Sequence, residues 1–226
     1  IKVVTHDSRF HADDIFFFVT FSLVFKGIIK VTRTRDEKII NEGDIVLDVG
    51  NIYDEDKKCF DHHQKEGAGV RENGIPYASF GLIWKHYGRQ LCTEKVWLYI
   101  EKKIVQPIDA GDNGMSTFTV NEKPGAFPYI VPDMLYSFMP SWKEKFSYDD
   151  GFFKAVEIVK QILEREIKRA EDSFQSEEII LKDYEKAEDK RIIILDQNYH
   201  FSDEDISRVL YDKPEVLYFI KYREEH

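Results

Sequence analysis

Two short stretches of this chain carry side chains that packing alone does not ask for. THDSRFHADD (Thr5 to Asp14) holds His6, His11, Asp13 and Asp14, and CFDHHQ (Cys59 to Gln64) holds Asp61, His62 and His63. Four of the seven histidines lie in these two places, which marks both for a shared task. A strand would turn His62 and His63 to opposite faces, and a helix would splay them by about 100°. Three adjacent polar side chains are costly to bury unpaired. They either form a solvated turn or gather around a charge. Asp48 in DIVLDVG and Asp109 and Asp112 in PIDAGDNG add carboxylates from two further segments. Taken singly, each of these residues is well explained as a strand end, a helix cap or a turn. Together they describe imidazoles and carboxylates delivered to one place. The thiolate pairs of a structural zinc site are missing, since Cys59 and Cys92 have no CxxC spacing, and Cys59 reads as a packed strand residue. Imidazole with many carboxylates suits Mn²⁺, Mg²⁺ or Fe²⁺. So many candidate ligands exceed what one tetrahedral ion takes, which points to two ions sharing a bridging carboxylate. Asp48 is best placed to bridge. Such a pair activates a water and clamps phosphoryl oxygens during in-line displacement.

These residues need elements that end on one edge. KVVTH, GIIKVTRT (Gly27 to Thr34), DIVLDVG and CFDHHQ read as short strands. IFFFVTFSLVF (Ile15 to Phe25) reads as a buried helix, and YASFGLIWKHY as another, closed by Gly88. TEKVWLYIEKKIVQPID supplies a third, with Thr93 as N-cap. DEDKK is a polar turn, and GAGVRENGIP a glycine-rich loop. Strands alternating with helices predict parallel βαβ units, whose carboxyl ends line a site. After Gly114 the prolines at 124, 128, 132 and 140 break the pattern. A long helix then spans Phe152 to Phe174, with Val156, Val159, Ile162, Leu163 and Ile167 as its apolar stripe. Two strand-like runs, RIIILD and VLYFIKY, flank a short helix that starts near Ser202. The expected architecture is α/β: a parallel-sheet domain with flanking helices over residues 1–145, then a long helix and a smaller α/β part over 146–226.

Hydrophobic residues make up 42% of the chain, enough for a real core, and Trp84 and Trp97 are expected inside it. No apolar run approaches the ~18 residues of a membrane span. The first residues show no basic region ahead of an apolar one, and two cysteines make no disulfide framework; a cytoplasmic protein is expected. A net charge of -10 argues against coating long nucleic acid by counterion release. It leaves room for a short phosphate-bearing substrate. Lys57, Lys58, Lys65 and Arg71 make the region around FDHHQ locally basic, and Arg33 and Arg35 lie near a strand end. Arg71, between glycines, is the favoured phosphate clamp, with Arg33 second, because a guanidinium grips phosphate through two parallel donors.

In order and spacing, THDSRFHADD, LDVGNIYD, FDHHQ and PIDAGDNG, with PYASFGLIWKHYG, resemble the melanocyte-proliferating-gene family of the DHH phosphoesterase superfamily. The likeness covers roughly residues 1–145. It implies a parallel-sheet DHH domain, a dinuclear site of the manganese type, and 3′→5′ exonuclease activity on RNA. Carried over by position, it implies that His6 and His11 hold one ion, with Asp48 bridging. Asp13 and His62 hold the second with Asp112, and Asp109 is the reserve. The resemblance makes Asp61 the residue that orients its neighbours and His63 the acid or donor facing the substrate phosphate. The pyrophosphatase branch has an aspartate where this chain has His11. Longer members continue past the strand that VLYFIKYREEH resembles, so a shortened second part, lacking some substrate-holding surface, is expected. The expected function is hydrolysis of short oligonucleotides, RNA preferred, with two Mn²⁺ ions. The alternatives are a small-nucleotide phosphodiesterase, phosphatase or pyrophosphatase, and a non-catalytic metal or nucleotide sensor.

Overall fold

β1 (Lys2–Thr5) lies between β2 (Lys30–Arg33) and β3 (Ile45–Leu47), parallel to both. The computed structural model describes residues 1–26, 29–119, 125 and 128–222. β5 (Cys59–Phe60) extends the sheet in parallel beside β3, and β4 (Tyr53–Asp54) closes it antiparallel to β5, in the order β2-β1-β3-β5-β4. Because the four parallel strands run the same way, they end on one edge. The residues that follow β1, β3 and β5 are His6, Asp48 and Asp61.

α1 (Ala12–Phe25) is buried from Ala12 through Phe21. It is apolar nearly all round, as a helix covered on several sides must be. It packs on α3 (Ser79–Tyr87) and α5 (Gln106–Asp112), and α3 also meets α5. Trp84 of α3 and Trp97 of α4 (Glu94–Ile100) are both buried, and each indole N–H donates to the other's carbonyl. Between α4 and α5 the helix widens into a π turn over Glu101–Val105. Pro107 has no N–H to offer the carbonyl four residues back. The Gln106 N–H reaches five residues back, to Glu101 O. The long helix expected here is therefore continuous but carries a π bulge.

Elsewhere the structure adds elements that the sequence pattern does not show. Tyr53–Asp54 pairs across the DEDKK turn with Cys59–Phe60 as a hairpin. Two short helices, α2 (Glu37–Ile40) and α6 (Val131–Tyr136), occupy stretches without a clear period. Pro132 opens α6 from its first turn, where a missing N–H costs nothing. Gly27, Ile28, Pro124 and residues 223–226 lie outside the described residues.

α7 spans Tyr148–Lys186, longer than expected at both ends. Its start is set by a reciprocal cap: the Asp150 N–H donates to Ser147 Oγ and the Ser147 N–H to Asp150 Oδ2. The chain divides within this helix into two compact units, Ile1–Glu166 and Ile167–His226. The second unit is a small α/β assembly in which β6 (Ile192–Ile194) and β7 (Tyr218–Ile220) pair in parallel. α8 (Asp203–Leu210) follows Ser202, whose hydroxyl accepts the Asp205 N–H. Ile180, Ile193, Leu195, Phe201, Ile206 and Leu210 form its core. No helix among the described residues is long and apolar enough to cross a membrane.

Ile193 is fully buried in that six-residue core. Ile193→Ala should cost roughly 2–5 kcal/mol in the unit that contains it. Urea unfolding followed at an aromatic of the second unit reads this loss, and a change under about 1 kcal/mol would show that the six residues do not act as one core.

Candidate metal centre

The strand-end edge receives His6, Asp48 and the run Asp61–His63, while the first turn of α1 brings Asp13 and Asp14 and the last turn of α5 brings Asp112. Four overlapping groups result, each with ligand atoms within 4.8 Å of one another. They are His6 with Asp14 and Asp48, Asp48 with His62 and His63, Asp13 with His62 and Asp112, and His11 with Asp13 and Asp14. Asp48 is common to the first two groups and Asp13 to the last two. His6 Nε2 lies 2.9 Å from Asp14 Oδ1 and 3.4 Å from Asp48 Oδ2. His62 Nε2 lies 3.3 Å from Asp48 Oδ1 and 3.0 Å from Asp112 Oδ2. His11 stands at the rim, half exposed, its Nδ1 3.6 Å from Asp112 Oδ1.

Local structure fixes these side chains before any ion arrives. Asp48 leaves β3 with φ +53°, a left-handed conformation that costs a non-glycine residue of order 1–3 kcal/mol. Its N–H donates to Phe60 O, and the Ser79 hydroxyl donates to its Oδ1 at 2.7 Å. Asp61 accepts from the Asn51 N–H, the His63 N–H and, at 2.8 Å, His63 Nδ1. With Nδ1 held there, His63 keeps Nε2 free on a half-exposed ring. His6 turns Nδ1 to Asp7 O, which leaves Nε2 for the cluster.

The charges are strongly coupled. Burial pulls His6 down, but Asp14 and Asp48 outweigh it and hold the imidazole up at about 10. Burial likewise lowers His62, and Asp112 and Asp48 raise it to about 10. Burial pushes Asp48 up, yet the hydrogen bonds from His6, His62 and Ser79 take it well below the ordinary carboxylate range. Asp13 goes the other way, because burial is reinforced by Asp112, Asp48 and Asp14. Both Asp13 oxygens are buried without a hydrogen-bond partner among the described residues. A carboxylate in that condition is costly unless a cation meets it. The donor set of imidazole and carboxylate oxygen fits a hard divalent cation, and the orphaned atoms point where one would sit.

Two expectations about substrate grip are corrected. Arg71 gives Nε to Glu101 Oε1 at 2.6 Å, Nη2 to Asp109 Oδ2 at 2.7 Å and Nη1 to Pro76 O at 3.2 Å, and its guanidinium lies 4.0 Å from the Tyr77 ring centre. Its side chain is 6% exposed, so it is a structural ion pair and not a phosphate clamp. Arg33 is 2% exposed, bound to Asp149 and Ser8 O over the Phe152 ring. Asp109, the reserve ligand, is in none of the four groups, because Arg71 and the Gly81 N–H take up its oxygens. The α3 backbone passes so close there that a Cβ on Gly81 would lie 1.8 Å from Asp109 Oδ2. Asp14 is the residue that the sequence pattern did not single out as a ligand. Its third place in α1 makes it look like a cap, and it does accept the His11 N–H at 2.6 Å.

Comparison with known proteins bears out the family, though none of the matches names the superfamily. The family model MYG1_exonuc, described as uncharacterised protein family UPF0160, matches residues 2–226. A MYG1 protein of Schizosaccharomyces pombe is 29% identical over 87% of this chain and 67% of its own length. A MYG1 protein of Saccharomyces cerevisiae is 32% identical over 70% of this chain and 54% of its own. The human MYG1 exonuclease is 26% identical over 71% of this chain and 48% of its own length. The aligned region thus spans about half of the latter two relatives and two thirds of the first. No solved structure matches.

Two outcomes follow from the charges. With His6 and His62 raised to about 10, both are protonated in the metal-free protein at neutral pH. Divalent ions should expel at least the two imidazole protons on filling the cluster, and apparent affinity should rise with pH until about 10. Calorimetric Mn²⁺ titrations in buffers of different ionisation enthalpy count these protons, and none released would refute the charge assignment. Arg71→Ala leaves two buried carboxylates without their cation and should cost roughly 3–5 kcal/mol in urea unfolding. Arg71→Lys should recover little, since a single ammonium cannot reproduce the fork.

Proposed function

This chain belongs to the MYG1 family, UPF0160, and from that premise we propose that it is a DHH-type, metal-dependent phosphoester hydrolase. In this reading it removes nucleotides from the 3′ end of short oligonucleotides, RNA preferred, at a two-ion site with Mn²⁺ as the favoured ion. The observation that carries the reading is the Asp13 carboxylate, buried with both oxygens unpartnered inside a cage of shared ligand groups. The exonuclease name of the mammalian relatives supports the reaction class.

His6, Asp14, Asp48, His62, Asp13 and Asp112 would hold the ions, with His11 at the rim. Bound there, two divalent ions would lower the pKa of a water and neutralise charge developing on the phosphoryl oxygens. The protein's own residues set the geometry for that chemistry. Ser79 holds Asp48 by one hydrogen bond to Oδ1 and leaves Oδ2 toward His6. Asp61 clamps His63 through Nδ1 and through its backbone N–H. The Asp61 hydrogen bond raises His63 above its ordinary value, against burial. It is thus suited to carry a proton near neutral pH and pass it from Nε2 to the leaving ribose oxygen as the P–O bond breaks.

Asp48→Ala should abolish both turnover and tight Mn²⁺ binding, because this carboxylate belongs to two ligand groups. His63→Ala should keep the metal, read by elemental analysis of the purified protein, and lose ~10²–10⁴ in kcat. The assay panel is short RNA, short DNA, dinucleotides and pyrophosphate, with Mn²⁺ and with chelator. No chelator-sensitive turnover on any of them would sink the hydrolase reading, and metal loss in His63→Ala would move that residue into the ligand shell.

A further inference from the structure

With Arg71 and Arg33 committed inside the protein, the substrate has to be held by other groups at the cluster's rim. Two qualify. Tyr136, at the last position of α6, is 41% exposed, and its ring centre lies 6.5 Å from that of His11 at an interplanar angle of 74°. The neighbouring Leu135 is fully buried and the Asp133 carboxylate caps the helix at the Ile130 N–H, so the ring stands on an anchored turn. Arg9 is exposed in the loop between His6 and His11, and no hydrogen bond or ion pair engages it among the described residues. Arg9 stands two residues before His11 in the chain, and its charge acts on the Tyr136 hydroxyl together with those of Asp112 and Asp13.

An exposed aromatic ring against His11, with an unengaged guanidinium two residues before His11 in the chain, suits a nucleotide. The ring face is apolar and takes a base by stacking, and the planar fork takes two phosphate oxygens. Resting on the hydrolase reading above, we propose that Tyr136 and Arg9 form the wall that receives the terminal nucleotide, Tyr136 stacking its base and Arg9 holding the adjoining phosphate. The substrate class is then a base-bearing nucleotide end, not pyrophosphate or a bare sugar phosphate.

The test compares an RNA trinucleotide with the same strand carrying an abasic 3′ unit. Turnover is measured with Mn²⁺, and binding by fluorescence anisotropy in a His63→Ala background. The unsubstituted wall should favour the base-bearing end by about tenfold or more. Tyr136→Ala should erase that preference, and Tyr136→Phe should retain it. Arg9→Ala should raise KM about tenfold with little change in kcat, and Arg9→Lys should restore part of it. A preference that survives Tyr136→Ala, or an Arg9→Ala effect confined to kcat and metal content, overturns the wall. Turnover with a preference indifferent to Tyr136 removes the wall and keeps the hydrolase. A Tyr136-dependent binding preference without turnover on any substrate removes the hydrolase and keeps the wall. Neither preference nor turnover removes both.

Discussion

The repulsion among buried carboxylates at one sheet edge is the constraint on which the rest of the first unit depends. Asp13, Asp14, Asp48 and Asp61 are all nearly inaccessible, and Asp112 is close beside them. Two like charges ~4 Å apart repel by about 4 kcal/mol at the effective dielectric of a protein site. A fold that gathers several must supply cations, donors or protons in return. It supplies each of these somewhere: imidazoles from β1 and β5, backbone N–H groups at Asp61, the N-terminal end of the α1 dipole at Asp13 and Asp14. What remains unbalanced is Asp13, and that residue marks where an external cation has the most to gain.

The same constraint sorts the acids into roles. Asp61 is loaded with donors, which hold it below its ordinary range against burial; it is a fixed anchor for His63. Asp48 is lowered too, by Ser79 and by the protonated His6 and His62, whose protons an incoming ion would displace. Asp13 is raised by burial and by the neighbouring charges of Asp112, Asp48 and Asp14. Environments that push neighbouring carboxyls apart are how one fold assigns different tasks to one residue type. Asp109, three residues before Asp112 on the same helix, shows the contrast. Arg71 and the Gly81 N–H bind it, so it ties α5 to α3 and, through α3, steadies the Ser79 hydroxyl on Asp48.

Much of this edge was legible because strand ends are short-range features. A β-rich run followed by His or Asp places that side chain on the carboxyl edge whatever the rest of the chain does, and His6, Asp48 and His62 follow that rule. Asp14 was not legible as a member of the cluster, since a second acid in the first turn of a helix serves equally as a cap, and here it caps His11 while lying among the cluster groups. Arg71 misled for a different reason. Its glycine neighbours and nearby lysines suggested exposure, but its partners Glu101 and Asp109 come from positions 30 and 38 residues later. Ion pairs of that separation leave no periodic trace. The π turn has a visible cause in Pro107, whereas α6 is too short to show a period.

How the cations are spent bears on what the site can hold. Arg33, Arg35, Arg71 and Arg89 of the first unit each pair with an acid of the same unit, and Lys57 pairs with Asp54. In a chain of net charge -10, these paired cations are not free to follow a phosphate backbone. Affinity built from counterion release grows with every phosphate covered. In the proposed reading, affinity built from a few ligand groups and one aromatic wall would saturate once the terminal nucleotide is seated. On that reading, this charge balance favours recognition of an end over recognition of a length. The acids that make the surface hostile to a long strand are the same residue type that makes the buried edge hospitable to metal.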